Sequence, residues 1–128
     1  MVLDTSAIVA IALGESERAA FLQELVEASK ILISAATFVE VAIVLENRVG
    51  QTATREMEAF LRNLGTEIVS VDFVQAEQAQ MAYRRYGKGR HPAALNFGDC
   101  FTYALAVVSG EVVLAKGEEF RKAGLRVV

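Results

Sequence analysis

Short apolar runs alternate along this chain with longer segments of helical period, and that alternation limits its fold more than any other feature. Val2-Leu3, Ile31-Leu32-Ile33, Glu67 to Val71 and Val112-Val113-Leu114 are β-rich and too short for helices, so they read as strands. Between them lie helical patterns: Ala7 to Leu13, capped by Ser6; a segment opening at Ser16-Glu17-Arg18; Ala36 to Arg48; Ala53 to Leu64; Phe73 to Tyr86; and a helix introduced by Asn96 to Asp99 that runs to about Ser109. Leu125 to Val128 is a candidate fifth strand. Strands that are continuously apolar and separated by helices indicate a parallel sheet covered on both faces. In such α/β sheets ligands gather beyond the carboxyl ends of the strands.

The remaining global features narrow the class. With 53% hydrophobic residues and no linker, repeat or low-complexity segment, residues 1–128 are read as one globular domain. No uncharged apolar run approaches the length of a membrane span, and no basic stretch precedes Met1-Val2-Leu3, so neither a membrane anchor nor a signal peptide is expected. Cys100 is the only cysteine; an intramolecular disulfide is excluded, and a cytoplasmic location is the expectation. The net charge of −3 argues against nucleic acid only if the acids are spread over the surface. Their placement therefore matters more than their sum.

Several acids stand where apolar residues are the rule. Asp4 follows the first strand and precedes the apolar run Ala7 to Leu13. Glu40 is embedded among Phe38, Val39, Val41, Ala42, Ile43, Val44 and Leu45, where an unpartnered carboxylate would cost several kcal/mol. Asp99 precedes Cys100, Phe101, Thr102, Tyr103, Ala104, Leu105 and Ala106, with Asn96 one turn earlier. Glu118 and Glu119 follow the fourth strand. Each has an ordinary structural reading: a cap or turn for Asp4, a salt bridge to a distant Arg for Glu40, helix-dipole stabilisation for Asp99 and an acidic helix start for Glu118 and Glu119. A single cleft that gathers carboxylates at the sheet's carboxyl edge accounts for all of them together. Such a cleft suits Mg²⁺ or Mn²⁺, hard cations that take oxygen ligands and assist phosphodiester hydrolysis. One His and one Cys are too few for a zinc site.

Met1-Val2-Leu3-Asp4-Thr5-Ser6-Ala7, Ser34-Ala35-Ala36-Thr37-Phe38-Val39-Glu40, Asn96-Phe97-Gly98-Asp99-Cys100 and Lys116-Gly117-x-x-Phe120 resemble, in order and spacing, the motifs of VapC-type PIN-domain toxins. The resemblance spans nearly the whole chain. It implies a three-layer α/β/α sandwich around a mainly parallel sheet of four to five strands. It also implies Mg²⁺- or Mn²⁺-dependent endonucleolytic cleavage of RNA, a cytoplasmic toxin paired with an antitoxin that plugs the cleft, and a homodimer. On this resemblance Asp4, Glu40 and Asp99 are the catalytic, metal-holding acids, and Thr5, Ser6 and Asn96 orient them. Glu118 or Glu119 takes the place of a fourth ligand; the family commonly reads Gly-Asp-Asp-Phe where this chain reads Gly117-Glu118-Glu119-Phe120.

The only concentrated basic segment, Tyr83 to His91, mixes Arg84, Arg85, Lys88 and Arg90 with tyrosines, as an RNA-contacting edge would. A solvated helix end with dipole-compensating cations explains it equally well. Cys100, without an activating base nearby, reads as a small core hydrophobe, His91 as a loop residue, and Phe21, Phe38, Phe60 and Phe101 as core. Two other functions fit parts of the pattern. A phosphotransferase would use Asp4 as nucleophile, although such sites commonly want a second Asp where Ser6 stands. A catalytically weak PIN-like module would bind RNA or protein without cutting, and the altered Gly-Glu-Glu-Phe segment is its best support.

Overall fold

The computed structural model describes residues 1–128. The chain runs β1 (Val2–Leu3), α1 (Thr5–Ala12), α2 (Arg18–Glu27), β2 (Leu32–Ser34), α3 (Ala35–Arg48), α4 (Gln51–Asn63), β3 (Glu67–Val69), α5 (Phe73–Tyr86), α6 (Phe97–Ser109), β4 (Val113–Leu114) and α7 (Glu119–Lys122). All pairings are parallel, and the sheet order is β3-β2-β1-β4. Val2 stands opposite both Leu32 and Val113, so β1, like β2, is flanked on both sides. The order reverses direction at β1, which makes its carboxyl end the topological switch point.

Alternation along the strands divides the core in two. Leu3, Ile33 and Leu114 face one side and pack with Ile8 and Ile11 of α1, Phe21 and Leu25 of α2, Leu45 of α3 and Leu61 of α4. Val2, Leu32 and Val113 face the other and pack with Ala79 and Ala82 of α5, Leu105 of α6 and Phe120 of α7. The expected three-layer sandwich is therefore present. Each fully buried Leu or Ile contributes roughly 1.5–3 kcal/mol, which is how strands of two or three residues are held in register without long ladders.

Some sequence expectations need correction. The α1 helix begins at Thr5 and its N-cap is Asp4, whose side chain accepts the Ser6 amide; Ser6 does not cap it. The third strand ends at Val69 short of Val71, and its Glu67 and Ile68 are exposed because it is the sheet edge. Leu125 to Val128 adds a single parallel bridge, Val127 to Val113, in place of a fifth strand. Phe21 is buried as expected, whereas Phe38, Phe60 and Phe101 are only partly covered. The α3 helix is apolar on nearly every side around Glu40, but it is not buried on all of them: Val39 and Ile43 are 56% and 54% exposed.

Candidate active site

The first acid sits where the switch-point rule places it. As β1 ends, Asp4 stays extended and caps α1. Its Oδ2 accepts the Ser6 amide at 3.0 Å and the Ser6 hydroxyl at 2.7 Å, and its Oδ1 accepts the Thr102 hydroxyl at 2.8 Å. Only 4% of Asp4 is exposed, and these three donors offset the cost of removing its carboxylate from water. Thr102 lies on α6 and stands 3.3 Å from the Thr37 hydroxyl of α3. The Ser6 hydroxyl also accepts the Lys116 amide at 2.9 Å, tying the segment after β4 to the start of α1. Thus four elements converge on the end of β1.

Glu40 is one turn beyond Thr37 on α3. Its Oε1 accepts the Thr5 hydroxyl, and its carboxylate lies against the Cα of Gly98, where any Cβ would overlap it. No Arg or Lys pairs with Glu40, so the salt-bridge reading of this acid is excluded. Gly98 has no helix-breaking role here. It is the absence of a side chain that lets α3 bring an acid against the first turn of α6.

Asp99 enters through a reciprocal cap. The Asn96 side chain accepts the Asp99 amide at 2.8 Å, while Asp99 Oδ2 accepts the Asn96 amide at 2.9 Å. The ordinary reading of Asp99 as a helix-start residue is therefore correct, and it coexists with a second feature. Burial pushes the Asp99 carboxyl from 3.8 up to about 7; the Asn96 amide opposes this, and the charges of Asp4, Glu40 and Glu119 reinforce it.

The two candidates after β4 separate clearly. Both are exposed, but Glu118 pairs with Arg121 at 3.0 Å. Glu119 folds back over Gly117 and is close enough to raise Asp99. The residues missed from the sequence are Thr37, Thr102 and Gly98. For the two threonines the only signal was spacing, since Thr37 precedes Glu40 by three and Thr102 follows Asp99 by three, which puts each on its acid's helical face.

These acids suit a hard divalent cation by donor chemistry. All are carboxylates, and none of Asp4, Glu40, Asp99 and Glu119 has a cationic partner. The side chains stand apart, each resting on protein donors or on its own loop, and no three acids, His or Cys meet at the spacing that one ion requires. Burial is the main cause of the Asp99 rise to about 7, but Asp4, Glu40 and Glu119 add to it, which marks a region of excess negative charge with no counter-ion of its own.

Of the basic candidates, Arg84, Lys88 and Arg90 line a groove between α5 and α6, and Arg85 does not. Cys100 is buried, donates to the Asn96 carbonyl at 3.2 Å and has its thiol pushed up to about 11 by burial and by Asp99, which rules it out as a nucleophile. His91 accepts the Ala93 amide on Nδ1 at 3.0 Å and packs edge-on against Tyr86. It stabilises its loop.

Residues 1–125 match the model of the PIN domain family. A protein of Mycolicibacterium smegmatis named Ribonuclease VapC is 46% identical over 128 residues, covering 100% of this chain and 99% of that protein. In fold, the chain is similar to the VapC20 toxin of Mycobacterium tuberculosis, described as cleaving the sarcin-ricin loop, with a TM-score of 0.80 at 20% identity over 97% of this chain and 95% of that one. A toxin–antitoxin complex from Klebsiella pneumoniae superposes with a TM-score of 0.70 at 20% identity, covering 99% and 94% of the two chains.

Proposed function

The chain belongs to the VapC family of PIN-domain proteins, and from that membership and its acid cluster we propose that it is a Mg²⁺- or Mn²⁺-dependent endoribonuclease, the toxin of a toxin–antitoxin pair. The observation that carries the proposal is that acids from four separate places in the chain, Asp4 after β1, Glu40 of α3, Asp99 of α6 and Glu119 at the start of α7, lie in one region without a single paired cation. Asp4, Glu40 and Asp99 would hold the ion, with Glu119 as the fourth acid in preference to Glu118. When bound, such an ion makes water a competent nucleophile and neutralises charge developing on the phosphodiester.

The chain's own residues prepare that chemistry. Thr102 and Ser6 each donate to one oxygen of Asp4, which fixes its orientation while it is buried. Thr5 orients Glu40 by donating to one of its oxygens and leaves the other free of a hydrogen-bond partner. The Asn96 cap holds Asp99 at the mouth of the site, where its raised pKa makes it the acid that must lose a proton when a cation enters. A phosphotransferase using Asp4 as nucleophile fits poorly, because such sites commonly want a second Asp two residues on, where this chain has Ser6 bonded to the Asp4 carboxylate.

The toxin reading carries two protein partners: an antitoxin that covers the cleft, as the likeness to a toxin–antitoxin complex suggests, and a second copy of the chain. The exposed Val39 and Ile43 on α3, beside Glu40, offer apolar surface for one of them. The decisive experiment is incubation of antitoxin-free protein with total cellular RNA in EDTA, Mg²⁺ or Mn²⁺, with Asp99→Asn as control. Discrete, metal-dependent fragments absent from the variant are expected. RNA binding without cleavage in any metal would establish a binding module instead.

A further inference from the structure

We propose that the groove between α5 and α6 is a nucleotide subsite, in which the base next to the scissile phosphate stacks on Phe97 while Arg84, Lys88 and Arg90 hold the neighbouring phosphates. The inference rests on the RNA-cleaving reading and adds where the strand lies. The groove encloses about 870 Å³ and is walled by Tyr83, Arg84, Lys88, Arg90, Phe97 and Phe101. That volume is within the range of small-ligand sites and admits a nucleotide.

Two features of the groove are unexplained by folding. Phe97 is 79% exposed although it starts α6, two residues before Asp99. Its ring is braced edge-on against Phe101, at 4.9 Å between centroids and 82° between planes, so one face is presented without collapsing onto the protein. An aromatic face displayed in this way is the platform on which single-stranded nucleic acids stack their bases.

Charge identifies the occupant. The chain carries a net charge of −3, yet no acid lines this groove and three cations do. None of the three has a carboxylate within 4.0 Å. Arg90 lies over the Tyr83 ring at 5.5 Å, which keeps its planar group extended along the wall and not folded onto an acid. Unpaired cations beside an exposed aromatic favour a polyanion with flat bases over an apolar peptide. Asn96 connects the groove to the site, since it lines the one and caps Asp99 in the other. A strand crossing the acids therefore continues into the groove.

The test uses the full chain and fluorescein-labelled single-stranded RNA of random sequence, with binding read by anisotropy on the Asp99→Asn background and cleavage read on the parent protein. Phe97→Ala is expected to weaken binding about tenfold, equivalent to about 1.4 kcal/mol, and Phe97→Trp to restore it. Arg84→Ala and Lys88→Ala are each expected to reduce the salt dependence of binding by about one phosphate contact. Val26→Ala, on the exposed side of α2, serves as the neutral control. A parent protein that cleaves RNA while Phe97→Ala binds and cleaves unchanged would overturn the subsite and leave the nuclease standing. Unchanged RNA affinity combined with a shift in oligomeric state, or with lost inhibition by an antitoxin, would reassign the groove to protein docking and overturn it equally. A parent protein that neither binds nor cleaves RNA would overturn both readings.

Discussion

Replacing Asp99 by Asn removes one negative charge from the acid cluster while keeping a side-chain oxygen to accept the Asn96 amide, so the cap survives and the electrostatics change. The carboxyl rises from 3.8 to about 7 chiefly through burial, reinforced by Asp4, Glu40 and Glu119. A rise of that size corresponds to about 4 kcal/mol. Solvent reaching the partly exposed group screens it to about half, on the order of 2 kcal/mol. The sign follows from proton linkage. The folded chain binds this proton more tightly than the unfolded chain, so stability falls as pH rises from about 4 to about 7, and the full penalty remains above that. Asn carries no such penalty. Metal-free Asp99→Asn is therefore expected to match the parent near pH 4 and to exceed it by about 2 kcal/mol at pH 8, or about 8 °C in melting temperature for a chain of this size. Thermal melts in EDTA across that pH range measure the difference. Adding Mn²⁺ at pH 8 is expected to raise the parent's melting temperature much more than the variant's, reversing or closing the gap. A variant no more stable than the parent at pH 8 in EDTA would refute the reasoning, because Asp99 would then carry no penalty of burial and repulsion for a cation to relieve.

Other substitutions separate the roles of neighbouring residues. Thr102→Val leaves Asp4 Oδ1 buried without its donor and is expected to cost about 1–3 kcal/mol; chemical denaturation measures the loss, and Thr102→Ser restores it. Gly98→Ala places a methyl where the Glu40 carboxylate lies, so metal-dependent cleavage is expected to fall by at least tenfold while circular dichroism still reports a folded protein. Glu119→Gln is expected to weaken Mn²⁺ binding in calorimetric titration. By contrast, Glu118→Gln breaks only an exposed pair with Arg121 and should change neither that affinity nor stability by more than about 0.5 kcal/mol.

The acids were legible because they violate a local rule: Asp4, Glu40 and Asp99 each interrupt an apolar pattern, and such violations concentrate at functional sites. What supports them was less visible. Thr102 and Thr37 look like tolerable polar residues in apolar helices until α6 and α3 meet across the end of β1. The basic segment was seen as a unit, yet successive residues on a helix point in different directions, so Arg84 enters the groove and Arg85 does not.

By itself the sequence determined the parallel α/β class, the chain position of each acid and the all-carboxylate character of the candidate site. These follow from periodicity and residue chemistry, which are local. Only the tertiary structure decided that Asp4 rather than Ser6 caps α1, that Glu118 pairs with Arg121 while Glu119 folds back over Gly117, and that Gly98 makes room for Glu40. Each of those outcomes is set by the approach of elements far apart in sequence, where one methylene or one missing Cβ changes which atoms touch.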